Sequence, residues 1–379
     1  MIVAKRLVFF NNSLNHHQVN VADEFYNILG REYAYVSTVA KTKAGLKGGV
    51  DYSDRPYCIM AGDSVDSYNK AIDLARNADV CVFGAETLPF AIERAQRNPK
   101  GLSFELSERW LKKGWINMLS PRLRRWWLAY MRYFRKANFY KLNASAFAAN
   151  DHYKLQTYKG KCFKWGYFTS VDCDGIYVHN MNTPIRLMWC SRFIDWKHPE
   201  LAIECVKMLK DHGFSYQLDM YGDGIIKERI EKRVKELCIE ENVRFYGNVA
   251  NEEVHKAMRD SDIFLFTSDR EEGWGAVANE AMTEGCCVVA SNEIGAAPYL
   301  IKNGSNGLLF KSNDVDSLTE KVEWLFTHPS EMQQMKINAR RTMTEIWSPR
   351  NAAINLLQLI DDLQNGRPCS VKEGPASIA

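Results

Sequence analysis

The amino-acid sequence predicts an α/β protein of two Rossmann-like, doubly wound domains that face a central cleft. The chain has 379 residues, more than one hydrophobic core usually organises. In its second half, short apolar segments alternate with segments of helical period, the pattern of βαβ units around a parallel sheet. Glycines or small turn residues follow several of these strands, at the edge where open α/β sheets bind their ligands.

The first half is less regular than the second. Its apolar runs and helical periods predict, in order, a strand at 2–10, a polar loop at 11–17, helices at 19–29 and 67–77, a buried strand at 80–83 and a helix at 88–96. Residues 104–109 are expected to end a further strand. The basic and aromatic segment 109–141 is predicted to form two helices that break at Ser120 and Pro121, and 162–170 an extended segment.

The second half alternates cleanly between strands and helices. Strands are predicted at 185–190, 216–221, 243–246, 263–266 and 287–290, and helices at 199–210, 227–237, 252–258 and 276–284. We therefore assign residues 1–183 to an N-terminal domain and 184–348 to a C-terminal domain. A helix at 349–364 is expected to cross back to the first domain, and the polar, breaker-rich tail at 365–379 is expected to be disordered.

Positive charge is concentrated in one segment. The formal net charge is +3, but residues 109–150 hold ten Lys or Arg and no Asp or Glu, which leaves −7 on the rest of the chain. Tryptophans and other aromatics alternate with these cations through 109–141, which favours an amphipathic surface for anionic lipid. A helix pair that buries its aromatics remains an alternative. Single-stranded nucleic acid also binds such grooves, but no nucleic-acid fold accompanies the segment, so we expect no nucleic-acid partner.

Compartment and metal content follow from what the sequence lacks. The first residues do not resemble a signal peptide, and no apolar run is long enough to span a bilayer. The ten cysteines show no Cys-x-x-Cys pair and no zinc-type spacing with histidine. We expect a cytoplasmic protein without a metal, in which Cys286 and Cys287 are buried as small apolar residues.

Two glutamates frame a glycine-containing loop after the strand at 263–266. Gly273 and Gly275 permit a tight loop whose backbone N–H groups approach a ligand closely. A helix that starts near Ala276 offers its first N–H groups to an anion such as a diphosphate. Glu272 and Glu280 can accept hydrogen bonds from the hydroxyls of a sugar and a ribose. For a glutamate pair considered alone, solvated surface charges are the alternative.

The full string around these glutamates resembles a known family. Residues 271–291 read Glu-Glu-Gly-Trp-Gly-x-x-x-x-Glu-Ala-Met-x-x-Gly-Cys-x-Val-Val-Ala-Ser, which is similar to the Glu-x7-Glu region of glycosyltransferase family 4, the "group 1" transferases of the GT-B fold. The resemblance covers roughly 185–345. It includes Ser-Arg-Phe-Ile-Asp-Trp-Lys at 191–197, Asp-Met-Tyr-Gly-Asp-Gly at 219–224, Val-Arg-Phe-Tyr-Gly-Asn-Val at 243–249 and Gly-Ser-Asn-Gly-Leu-Leu-Phe at 304–310.

The resemblance implies a retaining, metal-independent transfer from a nucleoside-diphosphate sugar to a glycan or lipid-linked acceptor, in bacterial-type surface polysaccharide or glycoconjugate assembly. It implies that Arg192 and Lys197 stabilise the departing diphosphate and that Glu272 positions the donor sugar, and it names no catalytic base. The donor-binding residues that it implies are Arg192, Lys197, Gly222, Gly224, Val249, Glu272, Gly273, Trp274, Gly275, Ala276 and Glu280. No cofactor beyond the donor co-substrate is implied.

The acceptor side departs from the family pattern. The loop at 11–18 lacks the usual glycines, so His16, His17 or Gln18 is expected to supply side-chain donors or to contact the acceptor. Glu108 and Arg109 would face the cleft if a strand ends before them, and a surface ion pair is equally open. The rival functions are a catalytically inactive sugar-nucleotide-binding or scaffold protein, and an epimerase or phosphorylase of the same fold; no pyridoxal-type lysine context favours the phosphorylase.

Overall fold

The structure, a computed structural model, describes residues 6–40, 51–171 and 183–379. The chain forms two compact units, one of Met1–Ser170 with Trp347–Ala379 and one of Val171–Ile346. The limits predicted from the sequence, 183 and 348, lie slightly further along the chain than these.

The first unit is built on a parallel sheet. In chain order its elements are β1 (Leu7–Asn11), α1 (Val19–Leu29), β2 (Tyr33–Ser37), β3 (Cys58–Met60), α2 (Val65–Asn77), β4 (Val80–Phe83), α3 (Leu88–Arg97), β5 (Leu102–Ser107), α4 (Pro121–Arg132), β6 (Phe139–Asn143), α5 (Ala148–Lys154) and β7 (Cys162–Lys164). The described strands are ordered β3-β2-β1-β4-β5-β6-β7, and every neighbouring pair is parallel.

The second unit repeats this plan. Its elements are β8 (Ile185–Cys190), α6 (Pro199–Asp211), β9 (Tyr216–Tyr221), α7 (Lys227–Glu236), β10 (Val243–Gly247), α8 (Asn251–Arg259), β11 (Ile263–Phe266), α9 (Val277–Thr283), β12 (Cys287–Ser291), α10 (Ala297–Leu300), β13 (Leu308–Phe310), α11 (Val315–Thr327) and α12 (Pro329–Arg341). The strand order is β10-β9-β8-β11-β12-β13, again all parallel. The strands predicted at 185–190, 216–221 and 263–266 are confirmed.

The strand order fixes where each unit can bind a ligand. It reverses between β1 and β4 in the first sheet and between β8 and β11 in the second. Helices that follow these two strands cover opposite faces of the sheet, so the loops at their carboxyl ends diverge and leave a crevice. The central strands are buried along their whole length because both faces are covered, as β1, β4 and β11 show.

The C-terminal segment belongs to the first unit. Its helix α13 (Pro349–Gln364) begins at a Ser348 side chain that accepts a hydrogen bond from the Asn351 N–H, and it packs against α1. The side chains of Arg350 and Glu24 lie 3.7 Å apart across this contact. The helix predicted at 349–364 therefore has the expected bounds.

The tail differs from the predicted disorder of 365–379. Asp362 accepts hydrogen bonds from the Ser370 N–H and hydroxyl at 2.8 and 2.6 Å. Further on, the Lys164 N–H donates to the Ser377 carbonyl at 2.8 Å, and Ile378 pairs with Phe163 as an antiparallel bridge. The edge strand β7 has backbone groups to satisfy on its outer side, and the tail supplies their partners. Composition alone does not reveal such a contact.

Candidate functional site

The predicted donor residues gather at the point where the second sheet reverses its strand order. The loop after β8 carries Arg192 and Lys197, and the loop after β11 carries Glu272. The two strands are direct neighbours, with Ile263 opposite Leu187. Their carboxyl ends therefore bring together residues that lie about 75 positions apart in sequence.

Lys197 and Glu272 form a buried ion pair. The Lys197 ammonium donates to a Glu272 carboxylate oxygen, and the two side chains are 10% and 11% exposed. The Lys197 carbonyl accepts a hydrogen bond from the Thr267 hydroxyl at 2.7 Å, and that hydroxyl accepts one from the Trp189 indole N–H at 2.9 Å. The lysine is thus fixed through both its main chain and its side chain, and its charge is paired with that of Glu272.

One indole ring brings the two predicted cations together. The Lys197 ammonium lies 4.4 Å from the centroid of the Trp196 ring, and the Arg192 guanidinium carbon lies 5.7 Å from it. Arg192 itself is exposed. The site therefore combines a buried ammonium with an exposed guanidinium, the first a point charge and the second a planar fork. Trp196 stands between the two cations in the sequence, a signal from which this role could have been predicted.

A second residue missed at the sequence level holds the two loops together. Asp269 donates its backbone N–H to the Trp196 carbonyl at 3.1 Å, and its carboxylate lies 3.2 Å from Nε2 of His198. The other imidazole nitrogen lies 2.7 Å from Glu200. Burial lowers the pKa of His198, but hydrogen bonds to Glu200 and Asp269 outweigh it and raise this pKa above its ordinary value. Through its contact with Asp269, His198 therefore links the loops that carry Lys197 and Glu272.

Two glycines permit close packing of the chain beside this site. Gly222 has φ +114°, and a Cβ there would lie 1.9 Å from the Ser191 carbonyl oxygen. Gly275 has φ +91°, and a Cβ there would lie 2.5 Å from the Phe266 ring. Both positions combine a left-handed backbone with no room for a side chain. The predicted residues Gly224 and Val249 follow β9 and β10 at the same end of the sheet.

Trp274 has a supporting position. Its side chain is fully buried, and its indole N–H donates to the Asn279 side-chain oxygen at 2.9 Å. Its carbonyl accepts from the Ala296 N–H at 3.0 Å. Because this side chain has no exposed surface, it supports the loop, and the predicted donor-binding role of Trp274 stays a prediction that only its backbone could fulfil. The neighbouring residues Gly273 and Ala276 remain candidates through their backbone.

Glu280 lies within α9 and is not a solvated surface charge. Burial raises its pKa to about 7, while nearby His255 lowers it and Glu284 raises it. His255 contacts Glu284 at 2.8 Å, and Arg259 contacts the other Glu284 oxygen at the same distance. A carboxyl group kept partly protonated near neutral pH is a marker of a functional position. The prediction for Glu280 thus gains physical support.

In the first unit, the side chain of Asn11 joins two loops at the edge of the sheet. The Asn11 side-chain oxygen accepts hydrogen bonds from the N–H groups of Asn12 and Ala85, both at 2.9 Å. It thereby joins the loops after β1 and β4, at the strand-order reversal of that sheet.

The two predicted histidines lie in the loop after β1. The ring centroid of His17 lies 3.7 Å from that of His16 and 5.3 Å from that of Tyr167, on which His17 stacks. Burial and the neighbouring histidine lower the pKa of His17 to about 4.

Glu108 and Arg109 have different surroundings. Arg109 donates from two guanidinium nitrogens to Asp151 at 3.2 and 3.1 Å, and the two side chains are 9% and 1% exposed. This fork-to-carboxylate pair gives Arg109 a structural contact, and the predicted acceptor contact of Arg109 stays a prediction. Glu108 accepts from the Tyr167 hydroxyl at 2.7 Å and from Lys112. Tyr167 therefore contacts both Glu108, through its hydroxyl, and His17, through its ring.

The basic and aromatic segment also differs from the predicted arrangement. Trp110, Trp126, Tyr130 and Phe134 are buried in the core of the first unit. The side of α4 that carries Trp126 therefore faces the core, which agrees with the alternative prediction of helices that bury their aromatic residues. Trp115, in the 3-10 helix Gly114–Leu119, is 61% exposed.

Across residues 6–40, 51–171 and 183–379, no group of three or more His, Cys, Asp or Glu side chains is placed to hold a metal ion. In the same part of the chain, the helices are too short or too polar for any of them to cross a bilayer.

Comparison with known proteins identifies one family match and several glycosyltransferase relatives. Residues 178–342 match the family described as glycosyl transferases group 1. The amylovoran biosynthesis glycosyltransferase AmsK of Erwinia amylovora is 24% identical over 188 residues, 48% of this chain and 46% of AmsK. The GDP-mannose-dependent alpha-(1-6)-phosphatidylinositol monomannoside mannosyltransferase of Mycolicibacterium smegmatis is 26% identical over 185 residues, 47% of this chain and 48% of that protein. The chain thus spans about half the length of these curated relatives.

The fold has a solved counterpart over the whole chain. HepE of Anabaena, solved in complex with UDP, superposes with a TM-score of 0.66 over 95% of this chain and 100% of its own, at 15% identity. The predicted fold class, an α/β protein of the GT-B type with two Rossmann-like units, is confirmed. The resemblance to group 1 glycosyltransferases is likewise confirmed over residues 178–342.

Proposed function

We propose that this chain, whose residues 178–342 match the group 1 glycosyl transferases, moves a sugar from a nucleoside-diphosphate sugar to a glycan or lipid-linked acceptor. The observation that carries the proposal is the buried pair of Lys197 and Glu272 at the strand-order reversal of the second sheet. Arg192 shares the Trp196 ring with that lysine. A cation pair beside a carboxylate, at the ligand-binding edge of a parallel sheet, suits a charged donor.

The proposed chemistry uses each charge differently. The bond between the anomeric carbon of the sugar and the diphosphate breaks, and negative charge grows on the diphosphate oxygen, where Lys197 and Arg192 stabilise it. Glu272 accepts hydrogen bonds from sugar hydroxyls and stabilises the positive charge that develops at the ring carbon. Glu280 is proposed to accept from the ribose hydroxyls.

By resemblance, the reaction is proposed to retain the anomeric configuration and to need no metal. The acceptor oxygen attacks from the face that the diphosphate leaves, and its proton passes to the departing diphosphate. No side chain is assigned as the base.

The biological setting follows the relatives. AmsK is named for amylovoran biosynthesis, the mycobacterial enzyme for a phosphatidylinositol mannoside, and HepE was crystallised with UDP. We propose a role in bacterial-type surface polysaccharide or glycoconjugate assembly, in the cytoplasm. A lipid-linked acceptor would bring the protein to the inner face of the membrane, where segment 109–141 is proposed to make the contact.

A panel of UDP-, GDP- and ADP-sugars tests the proposal. We expect the purified chain to release nucleoside diphosphate from one donor class, with EDTA present. Lys197→Ala should reduce this release strongly, and Lys232→Ala, at a side chain 79% exposed on α7, is the matched control. Tight nucleotide binding with no release from any donor, and no transfer to added glycan or lipid-linked acceptors, would instead support the inactive sugar-nucleotide-binding protein. NMR of the product then reads the anomeric configuration.

A further inference from the structure

One surface of the first unit combines exposed apolar side chains with exposed cations. The 3-10 helix Gly114–Leu119 and the helix α4 that follows it carry Trp115, Ile116, Leu119 and Leu128, which are 61%, 63%, 73% and 55% exposed. The two helices pack against each other, and the same segment carries exposed cations: Lys113, Arg122, Arg124, Arg125 and Arg132. We call these nine residues the basic-apolar surface.

Clustering distinguishes this surface from ordinary exposure. Among the residues that the structure describes, twelve large hydrophobic side chains are exposed, and four of them lie within 115–128. Single exposed apolar residues are normal on proteins, whereas a group with a polar rim marks an interaction site. Three of the four follow each other in one short turn, so folding of this chain leaves them in water together.

The helix α4 is fixed with its basic side outward. Trp126, Ala129 and Tyr130 are buried beneath it, and the Trp127 indole N–H donates to the Leu155 carbonyl at 3.2 Å. Positions 124, 128 and 132 follow each other at i, i+4 away from these buried residues, and the exposed Arg125 lies at the flank of the helix. The segment 109–150 contains no acidic residue, so its positive charge is not neutralised from within.

We infer that the basic-apolar surface docks on an anionic lipid bilayer. Trp115, Ile116 and Leu119 would enter the boundary between headgroups and acyl chains, while the arginines of α4 lie against lipid phosphates. The inference rests on the proposed function for its purpose, which is access to a lipid-linked acceptor. Membrane binding itself does not depend on the proposed function, because apolar burial and charge attraction act at any anionic bilayer.

The exposed side chains favour lipid over nucleic acid. Single strands bind where cations alternate with aromatic rings on which bases stack. Of the four exposed apolar side chains only Trp115 is aromatic, while Ile116, Leu119 and Leu128 are aliphatic. Aliphatic groups gain from hydrocarbon and offer no stacking platform. The other aromatics of the segment are largely withdrawn into the core.

Vesicle co-sedimentation of the full chain tests the inference. We expect binding to phosphatidylcholine vesicles that contain phosphatidylglycerol, and weak binding to phosphatidylcholine alone. Because one cation at such a surface contributes about fivefold in partitioning, Arg124→Glu with Arg125→Glu should lower binding at least about 25-fold at low salt. Trp115→Ser with Leu119→Ser should lower it about tenfold, at low and at high salt. Thermal melts establish that both double variants are folded.

The matched controls lie elsewhere on the molecule. Val65→Ser replaces an apolar residue that is 75% exposed on α2, and Lys232→Glu reverses a charge on α7. Both should bind vesicles like the unmodified protein. Equal loss in controls and test variants would overturn the inference, as would absence of binding by the folded unmodified protein at low salt. Binding of single-stranded DNA that survives the apolar variant but not the charge variant would point to nucleic acid instead.

The outcome is separable from that of the proposed function. Vesicle binding without donor turnover would leave this inference standing and remove the enzyme. Transfer to a water-soluble acceptor by a protein that ignores vesicles would do the reverse.

Discussion

Replacing Glu272 by Gln should damage both folding stability and turnover, and the two effects have separate causes. The Lys197 and Glu272 side chains are only 10% and 11% exposed, so solvent screens their attraction weakly. The variant leaves the ammonium with a neutral acceptor. Removal of one partner from a fully buried pair costs about 3–5 kcal/mol. Since glutamine still accepts a hydrogen bond here, we expect about 2–3 kcal/mol of lost stability.

A double-mutant cycle isolates the pair. Lys197→Met should cost a similar amount because it leaves the carboxylate unpaired, whereas the double variant removes both charges together. We therefore expect a coupling free energy of about 2 kcal/mol, with the double variant more stable than the sum of the single changes implies. Urea unfolding followed by circular dichroism measures all four proteins. Glu236→Gln, at an exposed carboxylate in the same unit, is the control and should cost less than about 0.5 kcal/mol.

Turnover is the second readout. Each single variant should lower donor turnover about 100- to 1,000-fold, because each removes a group aimed at charge that develops in the transition state. The double variant should be little worse than the singles, since residues that act as a unit are not additive. A coupling free energy below about 0.5 kcal/mol, or full turnover by folded Glu272→Gln, would refute the reasoning.

Three further predictions follow from the same structure. Gly222→Ala should lower stability and donor binding far more than Gly213→Ala. Both glycines have positive φ, but only at Gly222 would a Cβ clash, 1.9 Å from a carbonyl oxygen. Thermal melts should therefore show a stability loss of about 1 kcal/mol for Gly213→Ala and of several kcal/mol for Gly222→Ala. Glu280→Gln should stabilise the fold by about 1–3 kcal/mol above pH 7 and by little near pH 4.5, because the carboxyl pKa rises from 4.5 to about 7 on folding and its stability contribution is lost as the pH rises through that window. Urea midpoints across this pH range check that sign, and a larger gain at acid pH would contradict it. Arg109→Met should cost about 3 kcal/mol by unpairing the buried Asp151, with no change in acceptor KM for the protein that remains folded; a raised KM with unchanged stability would restore the acceptor role.

Much of the second unit could be predicted from the sequence. Its strands are continuous apolar runs because both faces of the sheet are covered, and glycine-containing turns mark their carboxyl ends. Arg192, Lys197 and Glu272 were identified because ordered motifs surround them. The ion pair between Lys197 and Glu272 could not be predicted, because it depends on which strands become neighbours in the sheet.

What was missed has physical causes. A three-residue strand such as β3 is too short for periodicity to reveal, whereas β7 lies within the extended segment predicted at 162–170. The tail has the composition of a disordered segment, yet it pairs with the edge of β7, a contact that lies outside its own residues. In α4, tryptophans and arginines occur in both halves of the helix, so the pattern gives an amphipathic helix without telling which side faces the core.

The closed pair has a consequence for how a donor would bind. The Lys197 ammonium has three N–H donors, so a diphosphate and the Glu272 carboxylate would compete for them. Such competition would weaken diphosphate binding and release Glu272 toward the sugar, which would couple arrival of the leaving group to delivery of the carboxylate. Glu272→Gln should then bind free nucleoside diphosphate at least as tightly as the unmodified protein while it loses turnover, and Lys197→Met should lose both. Calorimetry that finds equal weakening of nucleotide binding in the two variants would mean that the pair does not open.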